Sequence, residues 1–274
     1  MPEIRANGIS LHYQWQGRED GPVLVLINGL LTDLSSWNGH LPHLTPHFRV
    51  LTYDCRGQGG SAKPDEGPYT PALHADDLKG LLDGLGLERV ALLGVSSGAC
   101  VALSFAARWP ERVSALVLAN GYGVADTAMQ VKLTSWLRAM EAGGGPLRFD
   151  VSVAWIWGAS FLNAHYEALK PWREKGTALP AHAVLHLIRG AMEHDVMGEA
   201  HRITCPTLLM TGDEDVLTPL SYSEALQKRI PHSRIAVLRQ AGHCMFLEQV
   251  DSFARTAVDF LRQALPAWPG GRAS

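Results

Sequence analysis

Gly94-Val95-Ser96-Ser97-Gly98, preceded by Val90-Ala91-Leu92-Leu93 and followed by the helix-like stretch Ala99 to Arg108, decides how this chain folds. The apolar run suits a buried strand, and the residues after it suit a packed helix. A Ser with a Gly two residues to either side, between strand and helix, suits a sharp elbow that holds the Ser in strained backbone angles. Neighbours without side chains let the strand and the helix pack that close. Ser96 is therefore a candidate nucleophile. G-x-S-x-G also describes plain Gly/Ser loops, so the reading rests on the strand and helix around it.

Working outward, Leu11 to Gln16, Val23 to Asn28, Arg49 to Asp54, Arg89 to Val95, Val113 to Asn120, Thr207 to Gly212 and Ser233 to Arg239 read as strands. Most are continuous apolar runs such as Val23-Leu24-Val25-Leu26-Ile27, the pattern of strands buried on both faces of a parallel sheet. Helix-period stretches lie between them, at Tyr69 to Leu85, Ala99 to Arg108, Leu220 to Arg229 and Asp251 to Leu265. Alternating strand and helix predicts an α/β fold with a mostly parallel, doubly wound sheet. Between Asn120 and Cys205 about eighty residues pass without a convincing strand, broken by Gly143-Gly144-Gly145-Pro146. This interval reads as a helical lid over the carboxyl end of the sheet, at 124–202, with the core at 1–123 and 203–274. Its tryptophans, Trp136, Trp155, Trp157 and Trp172, either hold the lid to the core or line a pocket; Trp155, Trp157 and Phe161 are the pocket candidates.

A hydrophobic content of 46%, a charged content of 19% and a net charge of −3 describe a globular chain with no basic excess. Lys and Arg are scattered, which argues against nucleic acid as a partner. No apolar stretch approaches the roughly 20 residues that span a bilayer, and Met1-Pro2-Glu3-Ile4-Arg5 does not read as a signal peptide. Cys55, Cys100, Cys205 and Cys244 lie far apart with no C-x-x-C, which predicts reduced, packing thiols in a cytoplasmic protein and no zinc site.

A serine hydroxyl needs a neighbouring base. Of twelve histidines, His243 in Ala241-Gly242-His243-Cys244 follows the last apolar strand, at the sheet edge that carries Ser96. His12, His40, His43, His47, His74 and His232 lie in early or turn-like positions and read as surface or capping residues. His165, His182, His186, His194 and His201 lie in the lid interval and read as structural. An acid must orient the imidazole, and Asp213-Glu214-Asp215 after the Thr207 strand offers three carboxylates. The order Ser, acid, His matches that of α/β-hydrolases.

Four ordered stretches now carry a resemblance to the α/β-hydrolase superfamily, from roughly Gly8 to Leu265. They are the elbow; Asp54-Cys55-Arg56-Gly57-Gln58-Gly59-Gly60-Ser61, similar to a structural D-x-R-G-x-G-x-S loop; Gly212-Asp213-Glu214-Asp215 with Pro219; and Gly242-His243 with Glu248. The last is one residue short of the family's G-H-x5-E. The resemblance assigns Ser96, Asp215 and His243 to a catalytic triad, with Asp213 as runner-up for the acid. It assigns the oxyanion hole to the backbone N–H groups of Ser97 and Leu30, the latter in Asn28-Gly29-Leu30, where relatives carry His-Gly-x. Asn28 is a further pocket candidate. Asn28-Gly29-Leu30-Leu31-Thr32-Asp33-Leu34 with Trp37 is similar to a segment of bacterial 3-oxoadipate enol-lactonases, and Asn-Gly also opens this loop in 3-hydroxyacyl transferases of rhamnolipid precursor synthesis. Asn120 stands where other members place an acid.

The resemblance implies a cofactor-independent serine hydrolase acting on a small carboxylic ester or lactone. Two alternatives use the same fold: an acyltransferase with a hydroxyacyl or alcohol acceptor, and a ligand receptor with slow turnover. Polar lid residues such as Arg148, Arg173 and Arg189 suit a partly polar ligand, and one of those arginines would pair with an anionic substrate.

Overall fold

A computed structural model describes residues 2–175 and 179–265. Its strands are β1 (Glu3–Ala6), β2 (Ile9–Gly17), β3 (Val23–Ile27), β4 (Arg49–Tyr53), β5 (Val90–Val95), β6 (Val113–Ala119), β7 (Thr207–Gly212) and β8 (Ser233–Leu238). They form one sheet in the order β1-β2-β4-β3-β5-β6-β7-β8, antiparallel where β2 meets β1 and β4 and parallel elsewhere. β1 was not among the expected strands. Only Ile4 and Ala6 of its four residues are apolar, and the signal that does mark it is Asn7-Gly8, with φ of 46° and 80°. Two positive φ angles in succession make the tight hairpin that returns the chain into β2.

Both faces of the sheet are buried, which is why the inner strands read as unbroken apolar runs. Leu24 and Leu26 of β3 pack with Trp37, Phe48, Phe253 and Phe260 on one face. Val25 and Ile27 pack with Leu78, Leu82, Val101 and Phe105 on the other. The helices are α1 (Leu41–Leu44), α2 (Pro71–Gly84), α3 (Ser97–Arg108), α4 (Thr127–Ile156), α5 (Ala159–His165), α6 (Lys170–Lys175), α7 (Ala181–Met192), α8 (Leu220–Gln227), α9 (Met245–Glu248) and α10 (Val250–Ala264). The Thr70 hydroxyl accepts the Leu73 amide and Pro71 opens the first turn, so α2 starts where its backbone donors are already met. In α10 the buried Phe253, Ala257, Phe260 and Leu261 recur at helical spacing and form its apolar stripe.

α4 to α7 fill the interval between β6 and β7. α4 is broken at Gly143 (φ −148°, ψ 15°) and Gly144 (φ 65°, ψ −159°), so the Gly-Gly-Gly-Pro run joins two helical pieces. The inserted segment leaves and returns through a neck. Ala125 N donates to His194 O and Val196 N to Gly123 O, each at 2.8 Å. Beyond the neck, Val196, Ala200 and Ile203 pack with α3 against the sheet. Of the division expected from sequence, residue 1, 176–178 and 266–274 lie outside the described residues. Among the described residues, no helix is long and apolar enough to cross a membrane.

His40 and His74, expected as surface or capping residues, are 1% and 3% exposed. His40 sits among the rings of Trp37, Phe246 and Phe253, under α10. His74 shares one face of α2 with Leu78 and Leu81, a spacing that turns it to the sheet. His12 is also largely buried, with Nδ1 2.8 Å from Asp54 Oδ2.

Candidate active site

Ser96 links β5 to α3 with φ 54° and ψ −121°, a conformation that costs an L-residue about 1–3 kcal/mol and persists only where its surroundings enforce it. A Cβ on Gly94 would lie 2.2 Å from Gly98 O, and one on Gly98 would lie 2.2 Å from Ile27 O. Both glycines are therefore required for strand and helix to meet. Ser96 N donates to Ala119 O at 2.8 Å, while Ser96 O accepts from the amides of Ala99 and Cys100. The residue is pinned between β6 and the first turn of α3.

Ser96 Oγ lies 2.7 Å from His243 Nε2, and His243 Nδ1 lies 2.9 Å from Asp215 Oδ2. Asp215 is buried, and its first oxygen accepts the amides of Leu217 and Thr218, both at 2.8 Å. The second also accepts Thr218 Oγ1–H at 2.8 Å and an Asn120 Nδ2–H. Burial alone would raise the Asp215 carboxyl, but His243 and the Thr218 donors outweigh it and hold the group below the ordinary carboxylate range. It is thus ionised at neutral pH. Asp213 lies away from His243, near Arg239 and the Ala241 amide, each at 3.5 Å. Glu214 instead accepts the Ser160 amide at 2.8 Å.

Asn120 and Thr218 are polar residues of this cluster that the sequence reading did not assign. Asn120 (φ 53°) occupies the end of β6 and supplies a donor to Asp215, in place of an acid. Thr218 follows Asp215 by three residues, the spacing at which an Asp side chain caps its own turn.

Leu30 and Ser97 lie just past the ends of the paired strands β3 and β5, and neither amide has a hydrogen-bond acceptor among the described residues. Leu31 follows with φ 62°, an angle that a bulky side chain rarely takes. The loop is held from behind. Asn28 Nδ2 donates to Thr32 O at 3.1 Å, the Thr32 amide reaches Gln58 Oε1 at 3.1 Å, and the Leu34 amide reaches Asp54 Oδ1 at 2.8 Å. The D-x-R-G-x-G-x-S loop is thus a brace for residues 28–34, itself fixed by Arg56 on Asp77.

A cavity of about 310 Å³ opens beside this edge, lined by Leu30, Cys244, Phe149, Trp157, Arg148 and Leu247 among others. Its size is at the small end of ligand sites. Of the pocket candidates, only Trp157 borders it. Asn28 is buried in the loop brace, and Phe161 stacks behind Trp157 at 4.9 Å between ring centres. Trp155 lies under the Lys132 ammonium, 5.4 Å away. Two positions apart at a helix end, Trp155 and Trp157 face opposite ways.

The profile of the alpha/beta hydrolase fold matches residues 22–250. RutD of Caulobacter sp. (strain K31), named as a carbamate hydrolase, is 29% identical over 246 residues, 88% of this chain and 91% of the relative. The 3-oxoadipate enol-lactonase 2 of Acinetobacter baylyi is 27% identical over 250 residues, 91% of this chain and 92% of the relative. The crystal structure of the enol-lactonase from Burkholderia xenovorans LB400 superposes with a TM-score of 0.85 at 29% identity, covering 95% of this chain and 99% of that one. With the sheet order, the elbow and a matched span of this length, the chain belongs to the alpha/beta hydrolase fold family and is a hydrolase.

Proposed function

We propose that the protein cleaves a small carboxylic ester or lactone through an acyl-enzyme. His243 takes the Ser96 proton as Oγ attacks the carbonyl carbon, and the tetrahedral oxygen is received by the Leu30 and Ser97 amides. As the C–O bond breaks, His243 returns the proton to the leaving alkoxide. Water then attacks the acyl-enzyme by the same route and releases the acid. Asp215 holds the imidazole tautomer and balances its cation. The helices within 124–202 act as a lid that keeps bulk water from the site.

The observation that carries this reading is the unbroken contact from Ser96 Oγ through His243 to a buried, ionised Asp215. The named substrates of the relatives, a carbamate and an enol lactone, are both acyl compounds open to this addition and elimination. A cavity of about 310 Å³ favours one small substrate with water as acceptor over an acyl chain with a second acceptor chain beside it. The test is labelling by a fluorophosphonate probe with peptide mapping, and turnover of short esters and lactones. Ser96 should carry the label, and Ser96→Ala should lower kcat by about 10⁴ or more. Full activity in Ser96→Ala sinks the mechanism.

A further inference from the structure

Arg148 belongs to the second half of α4, yet its side chain is 7% exposed and borders the cavity that Leu30 and Cys244 also line. Its head group is poorly met. Nη1 lies 3.4 Å from Ser152 Oγ, Nε is buried with no partner, and no carboxylate of a described residue contacts it. Burial pushes its pKa down to about 10, with no acid nearby to oppose the shift. The other lid arginines differ: Arg138 and Arg202 are exposed, and the remaining two are paired. Arg173 forms a two-pronged pair with Asp150, and Arg189 pairs with Glu141, both at the surface. Asp33 shares the cavity, but its carboxylate accepts the amide and hydroxyl of Ser35 and caps the turn that follows.

A guanidinium offers five donors in a fork that fits a carboxylate. Leaving one buried without an acid is unfavourable for the folded protein, and a group kept at such a cost beside a reaction site points to a ligand that completes it. We infer that Arg148 is a substrate-binding residue, and that the substrate carries a free carboxylate besides its scissile acyl group. This rests on the ester-hydrolase reading above and narrows its substrate class. The carboxylate enters the cavity, pairs with the Arg148 fork, and fixes the distance between the charged end of the substrate and the carbonyl at Ser96.

Two ester pairs test this, each differing only by a carboxylate or an isosteric branched alkyl group. Mono(4-nitrophenyl) glutarate against 4-nitrophenyl 5-methylhexanoate places the charge on the acyl half. 4-Acetoxyphenylacetate against 4-isobutylphenyl acetate places it on the leaving half. In at least one pair, wild type should favour the carboxylate in kcat/KM by about 30-fold or more, and Arg148→Met should bring that ratio close to one. Arg148→Lys, which keeps the charge without the fork, should retain a smaller preference and decides the matter where the Met variant fails to fold. Ligand-free Arg148→Met should melt at or above the wild-type temperature, and glutarate or 4-hydroxyphenylacetate should raise the melting temperature of wild type only. A wild type with no preference in either pair, or a preference that survives Arg148→Met, overturns the inference. If Ser96 is neither labelled nor needed for turnover, the hydrolase reading fails. The melting shifts then still judge Arg148 alone, and equal shifts in both proteins refute it.

Discussion

Ser96, Leu31 and Asn120 all hold positive φ angles at one sheet edge, and strain of about 1–3 kcal/mol at each residue stays there only because dense hydrogen bonding overrules it. The same bonding ranks the acids. Asp215 accepts four donors besides the imidazole, so Asp215→Asn replaces an anion by a neutral amide that meets Thr218 and Asn120 as well as His243. We expect Asp215→Asn to lower kcat by on the order of 10³ to 10⁴ and Asp213→Asn to change it by only a few-fold, measured in steady state on the same ester. The opposite ranking would place the acid at 213. Sequence order and motif spacing bring out Ser96, Asp215 and His243, because each follows a recognisable strand. Asn120 and Thr218 escape that reading: the first meets Asp215 across 95 positions, and nothing local marks it as a donor.

At the scale of elements, the two loops that carry Asp215 and His243 are tied to the inserted helices by Lys132 on the Val216 and Leu217 carbonyls, by Cys244 N on Ile156 O, and by a cluster at the start of α5. Gly158 N donates to Glu248 Oε1 at 3.1 Å, Gly242 N to Glu248 Oε2 at 2.8 Å, and Ser160 N to Glu214 Oε2 at 2.8 Å. The approach is too close for side chains, since a Cβ on Gly242 would lie 2.1 Å from Gly158 N. Burial raises the Glu248 carboxyl, and the two glycine amides oppose that shift. Glu248→Ala should leave both amides unmet and cost about 1–3 kcal/mol in urea unfolding, whereas Glu248→Gln, which keeps an oxygen acceptor, should cost less. An unchanged midpoint in Glu248→Ala would show that the tie contributes nothing. Glu248 was visible as part of a motif, but its partner Gly158 was not, ninety positions away in a segment with no strand period. The inner strands were legible because burial on both faces leaves an unbroken apolar run. β1 pairs Ile4 with Leu11 at the sheet's edge, too short and too polar to show that period.

Across the whole molecule, three neutral histidines sit in three separate parts of the interior. His40 lies under α10, His74 under α2, and His194 at the neck, where its Nε2 is 3.1 Å from Tyr122 O. His40 and His74 looked peripheral in the sequence because turns and helix starts are usually wet, and only the packing of distant elements over them makes them core, whereas His194 read as a structural residue of the lid interval. Burial lowers all three to about 4 from an ordinary value of 6.5. A histidine that resists protonation when folded lets the unfolded chain bind more protons between those two values, so stability must fall as pH drops from about 6.5 to about 4. Each contributes roughly 3 kcal/mol over the full window. Asp215 works the same way but lower, since a carboxyl held below its ordinary value loses its stabilising effect only below about pH 4. Acid sensitivity should therefore begin with the histidines. Urea unfolding at intervals from pH 7 to 4.5 should show the free energy declining throughout, and His40→Phe, an apolar ring among Trp37, Phe246 and Phe253, should reduce the slope by about a third. A flat profile over that range would mean that these rings are reached by water or protonated without loosening the fold.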